Sequence, residues 1–237
     1  MDFSRRVEPA ELAEWMDEPC SYEDFRECLV DLEQVNRWSL GYRPTLRWLE
    51  DLASGLGPDE TLRVVDVGCG GGDMLRQVDA WARQRGVRVA LTGVDLNPYA
   101  ARAAREFTCP KMGIEWVTGD AFSLSERDGV DVVISSLFTH HLPADEIVHF
   151  LGWMENVARR GWFVNDLCRE AVPYYAFGML AKVAGWHRFV LHDGPVSFRR
   201  SFREDDWLRM CAEADIAGVD VTLRRWTPGR LCVGRVK

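Results

Sequence analysis

The stretch VVDVGCGGGD, residues 64–73, constrains this chain more than any other. A β-branched run leads into glycines at alternate positions, Gly68, Gly70 and Gly72. Helical spacing follows at Met74, Leu75, Val78 and Ala82, closed by Gly86. A strand-to-helix junction of this kind needs glycine for two reasons. The turn takes backbone angles that a Cβ would block. Bare backbone at the positive end of the next helix also lets a ligand come close. Asp95 ends the next strand-like run, RVALTGVD (88–95), 23 residues beyond Gly72. An acid at that distance meets a ribose in nucleotide-binding α/β folds.

The loop itself narrows the ligand. A P-loop requires Gly-Lys-Ser/Thr after its glycines, and this loop ends in Gly72-Asp73-Met74. A dinucleotide loop would place its third glycine at position 73, which is Asp73. The pattern is instead D-x-G-x-G-x-G, led by Asp66. An acid beside the turn suits a cationic ligand better than a pyrophosphate, with Asp66 acting directly or by holding the loop.

Around this motif, strand and helix patterns alternate. Strands are predicted at 62–68, 88–95, 114–120, 130–137 and 161–167. Near-continuous apolar runs separated by helices of 10–15 residues indicate βαβ units and a parallel sheet covered on both faces. Asn97-Pro98 and Pro143 are read as helix starts, and Gly161 as the stop of the second of these helices. Ser201 with Glu204 is read as a capping box for a helix to about Ala214. The runs 219–226 and 230–236, separated by Thr227-Pro228-Gly229, predict a terminal antiparallel hairpin. Residues 1–57 read as a helical N-terminal extension. Ser21 with Asp24 caps one helix and Pro44 opens another.

At 237 residues the chain suits one domain. A net charge of −8 disfavours a nucleic-acid partner. Seven cysteines without a CxxC pair point to a reducing, cytoplasmic setting. No segment reads as a signal peptide or a membrane span.

The sequence resembles the class I S-adenosylmethionine-dependent methyltransferases over roughly 61–237. VVDVGCGGG matches that family's motif after strand 1, LTGVDLNP its ribose-binding acid, and VTGDAF its acid near the adenine. The resemblance implies a Rossmann-like, seven-stranded, mostly parallel sheet with an antiparallel C-terminal strand and helices on both faces. The methyltransferase domain would span 58–237, with a helical lid inserted after strand 5 at about 168–200. It implies S-adenosyl-L-methionine as cofactor. Gly68, Cys69 and Gly70 would approach the methionine part, and Asp95 would hold the ribose hydroxyls, with Leu96 on the adenine. Asp120 would accept from the adenine amino group beside Ala121. Ser136 and Leu137 would line the methionine side. Residues 35–48 are similar to the segment before the glycine loop in ubiquinone/menaquinone methyltransferases, which suggests Trp38, Tyr42 and Arg43 near the cofactor. Arg43 would meet its carboxylate.

Catalytic candidates follow strand 4. His140 and His141 sit past its C-terminal end, where open α/β sheets bind ligands. One imidazole can accept an acceptor's proton near neutral pH. Asp166, ending strand 5, can orient a histidine or cap the next helix. No metal is expected, because adjacent histidines point in different directions and no clean carboxylate set accompanies them. His192-Asp193 is read as a turn before Gly194-Pro195, the alternative being a pocket-facing pair. Arg199, Arg200 and Arg203 are read as a solvated face. The aromatic-rich residues 173–191 suit a substrate roof, or an ordinary core. The function expected is methylation of oxygen or carbon on a small aromatic, quinone-like or polyketide-like acceptor, in bacterial secondary metabolism, by a monomer or homodimer. The alternatives are an RNA, DNA or protein methyltransferase, or a cofactor-binding protein without catalysis.

Overall fold

A computed structural model describes residues 2–57, 59–125, 128–216 and 220–237. Among them, seven strands form one sheet. They are β1 (Thr61–Val67), β2 (Arg88–Asp95), β3 (Glu115–Thr118), β4 (Val132–Ser136), β5 (Gly161–Leu167), β6 (Val221–Trp226) and β7 (Arg230–Val236). The order is β3-β2-β1-β4-β5-β7-β6. Strands β1 to β5 pair in parallel, and β7 runs antiparallel to both β5 and β6. The expected sheet and its terminal hairpin are therefore present. Residue 219, the expected start of the hairpin, lies outside the described residues.

Eight α-helices accompany the sheet among the described residues. They are α1 (Tyr22–Trp38), α2 (Arg43–Ala53), α3 (Asp73–Arg85), α4 (Ala100–Phe107), α5 (Ala144–Val157), α6 (Ala171–Ala184), α7 (Arg188–Arg200) and α8 (Glu204–Glu213). One sheet face packs Phe150 and Leu151 of α5 and Trp207 of α8 against Val133 and Val164. The other packs Leu49 of α2 and Leu75 and Val78 of α3 against Leu62 and Val64. Burying both faces explains why the strands lack a polar alternation. The strand order reverses between β1 and β4, so the crevice at their C-terminal ends is where such a sheet takes a ligand.

Several local expectations are corrected. Helix α5 stops at Val157, and Gly161 instead opens β5 with φ +154°, in close contact with the Arg235 backbone. Ser201 does not cap α8. Its hydroxyl donates to Ser197 O, and Arg203 is the cap residue, with Asp206 accepting from its backbone N–H. Asn97 makes a turn ahead of α4, its side chain accepting from Tyr99 N–H, and the helix starts at Ala100. His192 and Asp193 lie inside α7, which also contains Pro195. A polar, proline-bearing run was misread as a turn because tertiary partners hold it helical. Between β3 and β4 the chain makes a 3-10 turn, Ala121–Ser123; residues 126–127 lie outside the described residues.

The N-terminal segment ahead of α1 lies along α7 and the residues just beyond β5. Arg169 Nε donates to Phe3 O at 3.0 Å, and Val7 N–H to Arg199 O at 3.1 Å. Asp193 accepts from the backbone N–H of Trp15 at 2.8 Å and of Met16 at 3.0 Å. Helix α1 packs on α4 through Phe25 and Leu29, and on α6 and α7 through Cys28.

Candidate functional site

The glycine loop closes β1 with two left-handed turns that matter sterically. A Cβ on Gly68 (φ +71°) would lie 2.5 Å from the Phe138 ring, and one on Gly72 (φ +73°) 2.2 Å from Trp116. The loop leans on Asp95, whose Oδ2 accepts from Gly70 N–H and Oδ1 from Asn97 N–H, each at 2.8 Å. Burial pushes the Asp95 carboxyl up, against those two backbone donors, which favour its charged form. Together these residues floor a cavity of about 930 Å³. Its walls include Cys69, the exposed Leu96, Asp120, Ala121, Ser136 and Leu137. Asp120 caps the 121–123 turn through Oδ1, which accepts from Phe122 N–H at 2.9 Å. Leu137 holds φ +55°, a conformation that costs a non-glycine residue and concentrates at functional sites.

Asp66 stands outside the cavity wall. It is buried beneath the loop, its Oδ1 has no hydrogen-bond partner among the described residues, and burial pushes its carboxyl far up. Arg43 is exposed at the start of α2 and does not line the cavity. The pinning of the N-terminal helices falls to its neighbours. Asp73, the first residue of α3, accepts from Tyr42 Oη at 2.8 Å and from Asn36 Nδ2 at 2.9 Å. Arg76 pairs with Glu33 at 2.6 Å.

A second, apolar chamber of about 240 Å³ lies between α1, α6 and α7. Phe177, Leu180 and Trp186 line it, and it shares Met16, Leu32, Leu137 and His141 with the first cavity. Other members of the aromatic-rich stretch face outward: Tyr175 and Met179 are exposed, and Tyr174 packs on Phe3.

The two histidines occupy a single 3-10 turn at this junction. His140 is buried, with Nδ1 at 2.7 Å from Asp166 Oδ1. Thr139 Oγ1 and the His140 backbone N–H also donate to Asp166, at 2.6 and 3.1 Å. Burial alone would raise the Asp166 carboxyl. The His140 imidazole and these donors outweigh it and hold the group well below the usual range. His141 Nδ1 lies 2.8 Å from Asp17 Oδ1. Burial opposes its charge, but Glu14 and Asp17 beside it push the imidazole up to about 9.

The comparisons with known proteins agree with this arrangement. Residues 64–161 match the family described as Methyltransferase domain. With the sheet order, the glycine loop and Asp95 in place, that match decides the assignment. Residues 64–161 carry a methyltransferase domain. The chain is similar to trans-aconitate 2-methyltransferase of Mycobacterium marinum, 33% identical over 47% of this chain and 39% of that protein. The chain thus spans about two fifths of the length of that relative. Against the ubiquinone biosynthesis O-methyltransferase of Paracidovorax citrulli it is 29% identical, over 77% of this chain and 74% of that protein. The structure of the plantazolicin methyltransferase BamL in complex with a triazolic desmethylPZN analog and SAH superposes with a TM-score of 0.62. At 12% identity, over 93% of this chain and 91% of that one, this is a likeness of fold.

Asp95, Asp120 and Leu137, which the sequence pointed to, are among the residues lining the larger cavity, but the sequence left other polar groups unread. It missed Glu14, Asp17, Asn36, Asp73, Thr139 and Arg200. Arg200 is fully buried rather than solvated, pairing with Asp17 at 2.9 Å and donating through Nε to His140 O at 3.0 Å. No periodicity marks such residues, because they meet partners 27 to 183 positions away in the chain. Asn165, beside Asp166, is structural: its Nδ2 donates to Gly41 O and Thr45 Oγ1, tying β5 to the start of α2. Among the described residues no helix is long and apolar enough to cross a membrane.

Proposed function

We propose that the chain transfers a methyl group from S-adenosylmethionine to an oxygen or carbon of a small, largely apolar acceptor. The carrying observation is the pair of chambers meeting at Leu137 and His141. The larger has the volume and polar groups of a nucleoside site, and the smaller is lined mainly by aliphatic and aromatic side chains, with Glu14, His140 and His141 also in its wall.

S-adenosylmethionine, when bound, supplies an electrophilic methyl on a sulfonium. Gly68 and Gly70 would pass close to its amino acid part. Asp95 would accept from the ribose hydroxyls, Leu96 would cover the adenine, and Asp120 would accept from the adenine amino group through its free oxygen. Asp66 would act through the loop rather than by contact. The walls of the apolar chamber align the acceptor with the methyl and exclude water, which supplies much of the acceleration in an in-line displacement. The proton lost by a neutral acceptor passes to His140 Nε2, while Asp166 holds Nδ1–H and stabilises the imidazolium. Relatives named for trans-aconitate and for ubiquinone biosynthesis support small acceptors as a class. The acidic net charge supports them over a nucleic acid.

The test is calorimetric titration with S-adenosylhomocysteine, followed by mass spectrometry of a panel of phenols, quinols and unsaturated carboxylic acids incubated with S-adenosylmethionine. Saturable binding and a product heavier by one methylene support the reading. No binding overturns it.

A further inference from the structure

Adjacent histidines usually diverge. Here the 3-10 turn brings their rings together, with centroids 4.3 Å apart and planes inclined by 34°. Both Nε2 atoms turn toward one buried carboxylate from the N-terminal segment. Glu14 Oε1 lies 3.8 Å from His140 Nε2, and Glu14 Oε2 lies 3.8 Å from His141 Nε2. One ligand atom from each of the three residues falls within 4.8 Å of the others.

The other ring nitrogens are what make this set directional. His140 Nδ1 is held by Asp166 and His141 Nδ1 by Asp17, at 2.7 and 2.8 Å. A carboxylate on the far nitrogen fixes the tautomer and orientation of a metal-binding imidazole and raises its basicity. Two such carboxylate–histidine pairs converge on one glutamate. Arg200 touches Glu14 at 3.5 Å and Asp17 at 2.9 Å. The nearby Arg6 is paired with Glu8.

We infer that Glu14, His140 and His141 form a divalent metal site of the zinc class. Two imidazole nitrogens and one carboxylate oxygen suit zinc in an open, three-ligand geometry. Bond lengths of about 2.0–2.1 Å require the three side chains to close in around the ion. All three residues line the apolar chamber, so the open coordination position faces the space assigned to the acceptor. The ion there would hold an anionic acceptor oxygen, a phenolate or carboxylate, beside the transferred methyl. That second role rests on the methyltransferase reading; metal binding does not. One nitrogen cannot serve both purposes, so His140 acts as a base only in protein without the ion.

The test uses the full chain, stripped with EDTA, exposed to Zn²⁺, passed through a desalting column and assayed for metal by mass spectrometry. Retention of one equivalent is expected, as are visible ligand-field bands of a four-coordinate ion when Co²⁺ replaces zinc. Glu14→Gln and His141→Asn should each weaken zinc binding at least tenfold, with thermal melting confirming that the variants fold. No retained zinc overturns the inference, as does retention that both folded variants leave unchanged. S-adenosylhomocysteine affinity, measured on the same samples, separates the two readings. Zinc binding without nucleoside binding removes the methyltransferase proposal alone, and the reverse removes the metal site alone.

Discussion

Asp166 carries His140. The carboxylate is fully buried at the end of β5, yet it accepts from the His140 ring, the His140 backbone and the Thr139 hydroxyl. These contacts fix the imidazole, whose Nε2 lies 3.8 Å from Glu14 Oε1 at the wall of the apolar chamber. Asp166→Asn preserves the shape but removes the charge and allows the opposite tautomer. Turnover of a neutral-hydroxyl acceptor should fall by about 10²- to 10⁴-fold, the range of one acid–base group. S-adenosylhomocysteine affinity should stay near wild type. Steady-state kinetics with calorimetry on the same sample checks this; equal losses in both would make Asp166 a fold residue.

Asp95 should contribute about 1–3 kcal/mol to nucleoside binding, as hydrogen bonds to a charged group do. Asp95→Ala should therefore weaken S-adenosylhomocysteine roughly 5- to 150-fold. The pH dependence has a definite sign. Burial raises this carboxyl, and only its ionised form has lone pairs free for both hydroxyls. Affinity should be full at neutral pH and fall on acidification, starting at a higher pH than an ordinary aspartate would require. Stability responds the other way. The folded state holds this proton more tightly than the unfolded chain, so Asp95 contributes stability at low pH that is lost as pH rises through its folded pKa. Titrations across pH with wild type and Asp95→Asn should differ in that acid limb.

Gly72→Ala should be strongly destabilising. The new methyl would lie 2.2 Å from the Trp116 ring, in a backbone conformation that alanine resists. Overpacking of this kind costs about 1–3 kcal/mol, before backbone strain is added. Gly86→Ala is the control. It shares the positive φ, at +68°, but meets nothing within 4 Å, so only the conformational cost remains. Thermal melting of the pair separates the steric part.

Phe177→Ala should enlarge the acceptor chamber and shift the preferred acceptor toward bulkier compounds, with S-adenosylhomocysteine affinity unchanged. Tyr175→Ala, on the outward side of α6, should leave acceptor choice and stability within about 0.5 kcal/mol of wild type. Competition assays between two acceptors of different size read the change. Matching effects from both variants would reduce α6 to a structural cover.

The local signals in the sequence were strong where chemistry and backbone geometry coincide. Glycines at 68, 70 and 72, an apolar strand before them and an acid at 95 specify a turn, a register and a ligand polarity within about thirty residues. Short-range patterning therefore determined the sheet, the hairpin and the glycine loop that floors the larger cavity. Polar segments held by distant partners were not legible. Pro195 sits inside α7, where Asp193 anchors the N-terminal segment through the backbone of Trp15 and Met16. Arg200 reads as one of several surface cations until it is seen buried against Asp17 and the His140 carbonyl. Glu14, in a charged stretch with no motif, meets His140 and His141 only because the chain end folds back over the sheet's ligand edge. Side-chain convergence across the fold has no period in the sequence, so tertiary structure alone decided what surrounds the two imidazoles.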